Sequence, residues 1–587
     1  MFVLLSLSLL VVDVASVTIT VQNHWAGGFQ VEVAIPVTCD LQGWTVSLDF
    51  DQDIKSIEIW AGDVRQESPR RYLVSSHDYN GEVHTGTSLT LSVIGHTVGD
   101  ISPSLTAFIT DCGDGHGGTL PPGATRTPIP RTSPASTGGG TPTKDYADAL
   151  GKSILFYDAQ RSGKLPANNP ITWRGDSALN DCVVGGWYDA GDHIKFGLPF
   201  GAATHVLLWG LHLFKDGYER AHQLDMMYDM IKWALDYMLK AWNPVTKELV
   251  CQIGEGLADH HFWGRAEDMT MDRPCYKAGA GQGAGDIAAE WAACMAAGSI
   301  LFKEKGDTSY AAQLLTAAES LYAFAKAHPT PWSGSSAFYA PSTSDDEICE
   351  GAIWLYRATR NQKYLNDARE KWTPSYGFAL SWDDKKIACQ IMVYNETYSG
   401  SSQLKDPIEG FFKGWLPGGT VKYTPCGLAW RDMWGANRYA GGAAFAALAA
   451  AETGLNTATY RAWAIEQINY MLGDNKVDGG CFSFEIGYGS KYPKSPHHRS
   501  ASCPDIPQPC SEANLHASGP SPHLLLGALV GGPDVNDSYV DNREDYVKNE
   551  VAIDYNAGFQ SALAGILHLL ATNNFPPTKN ACPCVES

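Results

Sequence analysis

Residues 286–302 read DIAAEWAACMAAGSILF, and the spacing of the large side chains in this stretch decides the fold class of most of the chain. Ile287, Trp291 and Met295 recur every three to four positions, so they share one face of a helix. Asp286 precedes that face and is a candidate for its N-cap. The pattern is typical of a helix that packs against a core.

Residues 310–324 and 551–570 repeat this helical spacing. Between such segments lie long loops rich in glycine, proline and aromatic residues, with few stretches that alternate like strands. The sequence therefore predicts a large all-α domain over residues 144–575. A strand, a Gly-rich loop and a helix do not follow one another here, which disfavours a nucleotide-binding fold.

Residues 17–112 show a period of two instead. Phe29, Val31, Val33 and Ile35 alternate with polar residues, and two later stretches repeat the pattern with turn residues between them. Short alternating strands of this kind predict an antiparallel β-sandwich. The chain is therefore expected to be multidomain.

Three segments flank or connect these two domains. Residues 113–143 are rich in Gly, Pro, Ser and Thr and predict a solvated linker. Residues 1–16 contain a short apolar run followed by small residues, which predicts a signal peptide. Residues 576–587 are expected to form a C-terminal tail.

The charge and the cysteines narrow the class of protein. The formal net charge is −21 over 587 residues, which disfavours nucleic acid and anionic membranes as partners. Fourteen cysteines behind a signal peptide predict disulfide bonds and an extracellular location. We expect a secreted monomer that acts on a neutral substrate such as a polysaccharide.

Three aromatic residues of the first domain are expected to be exposed. Trp60 lies on the strand face opposite Ile57 and Ile59, Trp25 lies in a polar segment, and Tyr79 precedes a turn. Flat aromatic rings can stack on the apolar faces of sugars. On spacing alone, three unrelated surface aromatics are an equally good interpretation.

The segment GGWYDAGDHIKFG (185–197) carries two carboxylates, Asp189 and Asp192. Three residues apart, on one helical turn or in a tight loop, they can point the same way. The flanking glycines allow the backbone to approach a ligand closely. Taken alone, however, such a pair is more often two ordinary loop acids.

A second acidic segment, YVDNREDYVKNEVAIDYNAGF (539–559), carries Asp541, Asp545 and Glu550. Glu550 lies at the mouth of the last predicted helix, among apolar and aromatic residues. Such surroundings raise the pKa of a carboxyl and suit a general acid. The alternative, an acidic first turn that favours the helix dipole, explains one acid better than three.

The loop YPKSPHHRS (492–500) offers His497, His498 and Arg499 as donors to sugar hydroxyls. Histidines also bind zinc, but no HExxH-like spacing accompanies these. The sequence therefore disfavours zinc catalysis.

The first domain resembles the cellulose-binding module of carbohydrate-binding family two. NHWAGGFQVEV, GWTVSLDF, IEIWAGD and HDYNGEV occur in the family's order. The resemblance implies that Trp25, Trp60 and Tyr79 form the cellulose-binding strip, although tryptophan is usual at the last position.

The second domain resembles glycoside hydrolase family nine from about Asp145 to Phe575. The likeness rests on ordered blocks that include ILFYDAQRSGKLP, GGWYDAGDHIKFG, DHHFWGRAEDM, LSWDDK, WGANRYA, PHHR and NEVAIDYNA. It implies an (α/α)6 barrel with an open cleft and hydrolysis with inversion, for which acid and base carboxyls lie roughly 6.5–9.5 Å apart.

The resemblance also implies roles for individual residues. Asp192 is the base that activates water, Asp189 holds the same water, and Glu550 is the acid. His497 and Asp541 are counted with this catalytic group, and Asp541 and Asp545 match buried acids that support the catalytic loop. The expected substrate contacts come from six residues: His260, Trp263, Arg499, Trp430, Trp434 and Asp545.

The block FYAPSTSDDE (338–347) departs from the family pattern. Pro341 stands where a stacking tryptophan is usual, and Glu485 stands elsewhere in the chain where an apolar residue is usual. The chemistry is expected to need no cofactor. A structural calcium ion is a candidate ligand of four oxygen-bearing residues, unless they form only a solvated acidic loop: Ser342, Asp346, Glu347 and Asp383.

These features together predict a secreted endo-β-1,4-glucanase that a cellulose-binding module holds on its substrate. Another neutral β-glucan, such as lichenan or xyloglucan, is an alternative substrate. A carbohydrate-binding protein without catalytic activity is a further alternative, although all three expected catalytic carboxyls are present.

Overall fold

The structure is a computed structural model, and the residues that it describes are 17–25, 28–37, 39–59, 62–76, 81–85, 87–97, 105–109, 139–397 and 402–584. The chain divides into two compact units, Met1–Arg131 and Thr132–Ser587. The predicted signal peptide and most of the predicted linker lie outside the described residues.

The first unit is built from antiparallel strands. β1, β2, β9 and β5 form one sheet, in the order β1-β2-β9-β5, and a second sheet has the order β10-β4-β7-β6. β3 and β8 pair separately. The described strands are β1 (Thr18–Trp25), β2 (Gly28–Pro36), β3 (Leu41–Gln42), β4 (Thr45–Phe50), β5 (Ser56–Ile59), β6 (Gly62–Ser68), β7 (Arg71–Ser76), β8 (Glu82–Val83), β9 (Ser88–His96) and β10 (Leu105–Ile109).

The core of this unit contains the apolar residues that alternate along the strands. Val33 and Val46 are fully buried, and Trp44 is 1% exposed beside them. Because successive side chains of a strand point to opposite faces, the period of two places this set between the sheets. The predicted antiparallel β-sandwich is confirmed.

The expected cellulose-binding strip cannot be located on this sandwich. Trp25 is the last residue of β1, but its side chain lies outside the described part of the molecule. Trp60 and Tyr79 lie wholly outside the described residues. The strip therefore stays a prediction.

The second unit is mainly helical. Its described helices are α1 (Tyr146–Ala159), α2 (Gly197–Leu213), α3 (Lys215–Arg220), α4 (Leu224–Ala241), α5 (Gly256–His260), α6 (Gly285–Glu304), α7 (Thr308–Ala327), α8 (Asp345–Thr359), α9 (Gln362–Lys371), α10 (Lys386–Thr397), α11 (Ser402–Trp415), α12 (Ala436–Glu452), α13 (Thr457–Met471), α14 (Arg499–Ser502), α15 (Glu512–Leu515), α16 (Tyr546–Asn549) and α17 (Ile553–Ala571). Six short strands accompany them: β11 (Lys195–Phe196), β12 (Trp242–Asn243), β13 (Glu248–Ile253), β14 (Cys275–Ala278), β15 (Lys422–Tyr423) and β16 (Ala429–Trp430).

Six of these helices close into an inner ring. Each contacts the next in the order α2, α6, α8, α10, α12 and α17, and α17 contacts α2 again. The outer helices α4, α7, α9, α11, α13 and α1 pack against this ring in the same order. This double ring is the predicted (α/α)6 barrel.

The inner helix α6 is buried on nearly every side, not only on its predicted face. Ala288, Ala292 and Ala296 are fully buried between the larger residues, because small side chains let neighbouring helices approach closely. The predicted N-cap is wrong by two residues, since Ala284 holds that position. Asp286 lies in the first turn, where its Oδ1 accepts a hydrogen bond from the Trp332 N–H at 2.9 Å.

The segment expected to be a tail is fastened to the barrel. Cys582 is bonded to Cys426, and Cys584 to Cys481. The last residues of the predicted linker also contact the barrel, since the Gly140 N–H donates to the Phe575 carbonyl. Three more disulfides lie within this unit: Cys182–Cys275, Cys349–Cys389 and Cys503–Cys510.

Among the described helices, none has the length and apolar character needed to cross a membrane.

Glu485 is a buried carboxyl group that forms no hydrogen bond in the folded protein. Its side chain is fully buried, and neither carboxyl oxygen has a hydrogen-bond partner. Burial raises its pKa well above the ordinary value of 4.5. The folded state therefore holds a proton that the unfolded chain releases above about pH 4.5.

We expect Glu485→Met to stabilise the barrel, and increasingly so as the pH rises. Between the ordinary and the raised pKa, wild-type stability falls by about 1.4 kcal/mol per pH unit because folding must retain the proton. Methionine has no such cost. Melting temperatures at pH 5, 6 and 7 measure the difference, with the exposed Glu370→Met as control; a constant difference would contradict the account.

Candidate active site

A cleft of about 660 Å³ opens at one end of the barrel. It lies where the inner helices begin, because most of its lining residues come from the segments that precede α2, α6, α8, α10, α12 and α17 or from the first turns of these helices. The lining includes Asp189, Asp192, Phe196, His260, Trp263, Phe338, Tyr339, Trp382, Trp434, Arg438, His497, Arg499, Tyr546, Glu550 and Tyr555. The two acidic segments of the sequence therefore meet in one cavity.

Asp189 and Asp192 lie on a tight loop, not on a helix. The Ala190 N–H donates to Asp192 Oδ1 at 3.2 Å, and the Asp189 N–H donates to the Ile194 carbonyl at 3.0 Å. Both aspartates are buried, at 3% and 5% exposure. The loop thus fixes two carboxyls in the floor of the cleft.

Gly191 joins this loop to the His497–Arg499 segment. A Cβ atom at this position would lie 2.1 Å from the His497 carbonyl oxygen, which is too close for any other residue. The Arg499 N–H also donates to the Gly191 carbonyl at 3.0 Å. The glycine of the DAGD motif is required by this contact between backbones.

Asp189 is held from two sides. The Tyr339 hydroxyl donates to Asp189 Oδ2, and the Asp189 carbonyl accepts from the Ile553 N–H at 2.9 Å. Burial, followed by the neighbouring charge of Asp192, raises the pKa of Asp189 well above its ordinary value. Two carboxyls this close carry one negative charge more easily than two.

Glu550 lies between α16 and α17. Its carbonyl accepts from the Gly531 N–H at 2.9 Å, and the neighbouring Asn549 carbonyl accepts from the His497 N–H at 2.9 Å. Burial, followed by the negative charge of Asp192, raises the pKa of Glu550 to about 8. A carboxyl with this pKa keeps its proton at neutral pH, as a general acid requires.

His497 and Arg499 line the cleft, whereas His498 points into the protein. The His497 Nδ1 lies 2.7 Å from the Arg543 carbonyl, and burial lowers the pKa of His497 to about 4, so this ring is neutral. A carbonyl only accepts, so Nδ1 carries the hydrogen and Nε2 is an acceptor. His498 Nε2 lies 2.9 Å from Gln160 Oε1 and is enclosed.

Trp263 and His260 form one wall. Trp263 packs edge-on against His497 with centroids 5.1 Å apart and donates to Ser502 Oγ at 2.8 Å. His260 stacks on Phe338 at 4.8 Å and 18°. The contacts with Ser502 and Phe338 therefore fix the positions of the two rings that face the cleft.

Asp259 is a further acid near the base that sequence reasoning missed. It lies in the quoted DHHFWGRAEDM block, and its Oδ2 lies 3.2 Å from Arg499 Nη1. Burial raises its pKa to about 6. Asp192, Asp259 and His260 offer ligand atoms within 4.8 Å of one another. The Arg499 guanidinium supplies the positive charge that a cation would bring to this group.

Tyr339 and Arg438 were also missed, because only the fold brings them to the site. Arg438 Nη1 lies 3.1 Å from Asp554 Oδ2, and its guanidinium lies over the Tyr439 ring. Tyr339 follows Phe338 in a loop that the sequence identified only for its acids. Arg438 lies in the WGANRYA block, and membership of that block is its only signal in the sequence.

Three predicted site residues lie away from the cleft. Trp430 donates to the Pro533 carbonyl at 3.1 Å and packs against the helical core. Asp541 is exposed, not buried as predicted, and accepts from the Lys494 and Ser495 N–H groups at 2.8 and 2.9 Å.

Asp545 is half-buried and caps α16, where its side chain accepts from the Lys548 N–H at 3.3 Å. Asp541 and Asp545 thus shape the loops that carry His497 and Glu550. Trp434, by contrast, lines the cleft and is 44% exposed, with its ring 5.5 Å from Tyr546.

The predicted calcium ligands lie around the start of α8. Asp383 Oδ1 accepts from the Ser342 N–H at 2.7 Å, and Asp346 Oδ2 accepts from the Lys385 N–H at 2.7 Å. Lys385 Nζ lies 2.8 Å from Glu347 Oε1 and already neutralises that residue. Asp346 Oδ1 and Glu347 Oε2 are buried without a hydrogen-bond partner. Unpaired oxygens suit a hard cation. Among the described residues, however, Asp346, Glu347 and Asp383 do not form a group whose ligand atoms all lie within 4.8 Å of one another.

Comparison with known proteins gives this arrangement its family. Residues 146–563 match the model described as glycosyl hydrolase family 9, and residues 15–112 match the one described as cellulose binding domain. The chain is 42% identical over 463 residues to Endoglucanase A of Bacillus pumilus, which covers 74% of this chain and 68% of that relative.

Two solved structures share the barrel. An endoglucanase from the termite Nasutitermes takasagoensis is 44% identical, with a TM-score of 0.69 over 73% of this chain and 100% of its own. A cellulase of C. cellulolyticum in complex with cellobiose is 36% identical, with a TM-score of 0.66 over 72% of this chain and 99% of its own. The family match spans well over half of the chain, so this protein belongs to glycosyl hydrolase family 9 and carries a cellulose-binding domain before its barrel.

Proposed function

We propose that the chain is a secreted endo-β-1,4-glucanase that hydrolyses cellulose with inversion of configuration. The observation that carries the proposal is the meeting of Asp189, Asp192 and Glu550 in one open cleft, with the pKa of Glu550 raised to about 8. An open cleft admits the middle of a long chain, which suits cleavage of internal bonds.

The chemistry follows from these carboxyls and needs no cofactor. Glu550 protonates the glycosidic oxygen as the bond to the anomeric carbon breaks. Asp192 takes a proton from a water molecule that attacks this carbon from the opposite face, and Asp189 holds that water. The neutral His497 and the Arg499 guanidinium bind hydroxyl groups nearby, and the rings of Trp263 and Trp434 stack on sugar faces.

Endo-cleavage is tested with soluble carboxymethyl cellulose. We expect the viscosity to fall steeply while few reducing ends have appeared, because internal cuts shorten chains most. Lichenan and xyloglucan, assayed in parallel, test the alternative substrates. Faster hydrolysis of either one would overturn cellulose as the substrate, and release of no reducing ends from any glucan would overturn the enzyme itself.

Secretion and binding to solid cellulose belong to the same proposal. The disulfide bonds of the barrel support an oxidising location. A tethered module raises the local concentration of the barrel on an insoluble surface. Action as a monomer is part of the proposal, and sedimentation of the full chain tests it.

We expect Trp25→Ala combined with Trp60→Ala to weaken binding to crystalline cellulose at least tenfold. Two lost stacking rings remove most of the apolar contact with the sugar faces. Hydrolysis of soluble carboxymethyl cellulose, measured alongside, serves as the control and is expected to stay unchanged. Wild-type affinity in the double variant would exclude these rings as the binding strip.

We also propose that Ser342, Asp346, Glu347 and Asp383 contribute to a structural calcium site. Support comes from the buried, unpaired oxygens of Asp346 and Glu347, and a hydrogen bond joins the other two residues, Ser342 and Asp383. A cation here stabilises the loop that carries Tyr339 and plays no part in the chemical step.

Calcium is therefore expected to raise the melting temperature of the full chain. A ligand at 100 times its dissociation constant stabilises the folded state by about 2.7 kcal/mol. Removal of calcium with EGTA reverses the effect, and Asp346→Asn abolishes the response. Asp345→Asn is the matched control, because Asp345 is exposed and bound to Lys371. If neither calcium nor EGTA changes the melting temperature of the wild type, the calcium site is disproved.

A further inference from the structure

An exposed, largely apolar surface borders the cleft beyond Trp434. We call it the outer apolar surface and define it as Tyr376, Phe378, Arg431 and Met433. We propose that it is an additional glucan-binding subsite, which receives the part of a long chain that extends past Trp434. The inference rests on the proposed function, because it extends the same cleft.

The exposure of these side chains is the first observation. Tyr376 is 65% exposed, Met433 59% and Phe378 38%. Scattered exposed apolar residues are ordinary, but these come from two loops that touch through Arg431 and Phe378, and Met433 directly precedes Trp434, which is itself 44% exposed. A group of exposed apolar side chains next to a cleft is a candidate binding surface.

Continuity with the cleft is the second observation. Arg438 lines the cleft and donates from Nη2 to the Trp434 carbonyl at 3.3 Å. Its guanidinium lies 4.3 Å from the centroid of Tyr439, whose ring is 5.5 Å from that of Phe378. Arg431 in turn lies over Phe378 at 3.6 Å. Contacts therefore run without a break from the cleft to the outer apolar surface.

The surface is also held rigid before any ligand arrives. The Phe378 N–H donates to Asp384 Oδ2 at 2.6 Å, and Arg431 Nε donates to the Phe378 carbonyl at 3.1 Å. The Tyr376 ring lies against α11, where a Cβ on Gly410 would clash with it. A preformed surface loses little conformational entropy when it binds.

The chemistry of the surface selects a sugar chain as the occupant. Pyranose rings present apolar C–H faces to Tyr376, Met433 and the part of Phe378 that Arg431 leaves exposed, and hydroxyl groups at their edges. The guanidinium of Arg431 has donors that reach such hydroxyls. A neutral glucan chain that emerges from the cleft is already positioned here, which favours it over a separate protein partner.

The test compares substrates of different length on the full chain. We expect Met433→Ala, and more strongly Met433→Ala with Phe378→Ala, to lower kcat/KM for cellohexaose and longer oligosaccharides about three- to tenfold. The value of kcat/KM for cellotetraose is expected to stay unchanged, because this short oligosaccharide is not expected to extend past Trp434. Val245→Ala, at a turn where the side chain is 88% exposed, is the matched control.

A gain-of-function variant guards against a folding defect. Met433→Trp enlarges the apolar surface and is expected to raise the ratio of kcat/KM for long over short oligosaccharides. Melting temperatures show which variants fold as the wild type does. If the double variant melts at a lower temperature than the wild type, the inference is judged from Met433→Ala and Met433→Trp alone.

Three results overturn the inference. An unchanged ratio of kcat/KM for long over short oligosaccharides in both Met433 variants excludes the subsite. The proposed function still holds in that case, provided that the wild type hydrolyses the oligosaccharides. A wild type that cuts neither substrate removes the proposed function itself. If the Met433 variants change the sedimentation coefficient of the protein but not the ratio of kcat/KM for long over short oligosaccharides, the surface is a contact between copies of the chain.

Discussion

Glu550→Gln is expected to lower kcat for cello-oligosaccharides about 10²–10⁴-fold, the range that a positioned general acid contributes. Glutamine keeps the shape of the side chain but has no proton to give to the glycosidic oxygen. Binding is largely retained, so KM changes little. Initial rates on cellotetraose measure the loss, and Glu544→Gln, an exposed acid on the same segment, is the control.

The identity of the leaving group shows whether proton donation is what was lost. The 2,4-dinitrophenolate ion leaves without protonation, so 2,4-dinitrophenyl β-cellobioside is expected to react at close to the wild-type rate in Glu550→Gln. Equal losses on both substrates would mean that Glu550 does not act as the acid.

The pH profile gives the same assignment independently. The acid must be protonated, so wild-type activity is expected below the raised pKa of Glu550 and to fall as the pH rises through about 8. On the activated cellobioside this alkaline fall is expected to disappear in Glu550→Gln.

Asp192→Asn is the second variant with a large expected effect, again a loss of about 10²–10⁴-fold in kcat. The amide cannot take the proton from the attacking water. Unlike the acid variant, it is expected to lose activity on the activated cellobioside as well, because water must still be activated. Initial rates on the two substrates therefore distinguish the roles of Glu550 and Asp192.

The coupling between the two residues provides a further readout. The negative charge of Asp192 contributes to the raised pKa of Glu550. In Asp192→Asn this contribution is removed, so the alkaline fall of the residual activity moves below pH 8. An unshifted profile would contradict the electrostatic account of the site.

The fold could be predicted because its signals are local. The spacing of Ile287, Trp291 and Met295 requires a helix, and the alternation from Phe29 to Ile35 requires a strand. The wrong position of the α6 N-cap shows the limit of this approach. Asp286 is an ordinary capping residue, but tertiary contact with Trp332 places it inside the first turn.

The site could be predicted only in part, because its geometry depends on distant segments. Asp189, Asp192 and Glu550 were found from their sequence blocks, whereas Asp259 beside them was missed. The Tyr339 hydroxyl reaches Asp189 across 150 positions of the chain, and no local pattern announces such a contact. Trp430 and Trp434 are four residues apart and equally aromatic, yet only the fold decides that Trp434 faces the cleft and Trp430 donates to Pro533.

Glu485 illustrates a third limit. A sequence comparison marks it as unusual, but only the structure shows that both of its oxygens are buried without a partner. Its burial lowers the stability of the folded state by an amount that changes with pH, and sequence alone does not reveal this effect.

The stereochemistry of the first product tests the central claim most directly. NMR spectra recorded within the first minutes of cellotetraose hydrolysis, before mutarotation, show which anomer the enzyme releases. The account predicts that the α-anomer appears first and then converts toward the equilibrium mixture. A product that begins as the β-anomer would mean retention, and it would contradict a mechanism in which Asp192 activates water opposite Glu550.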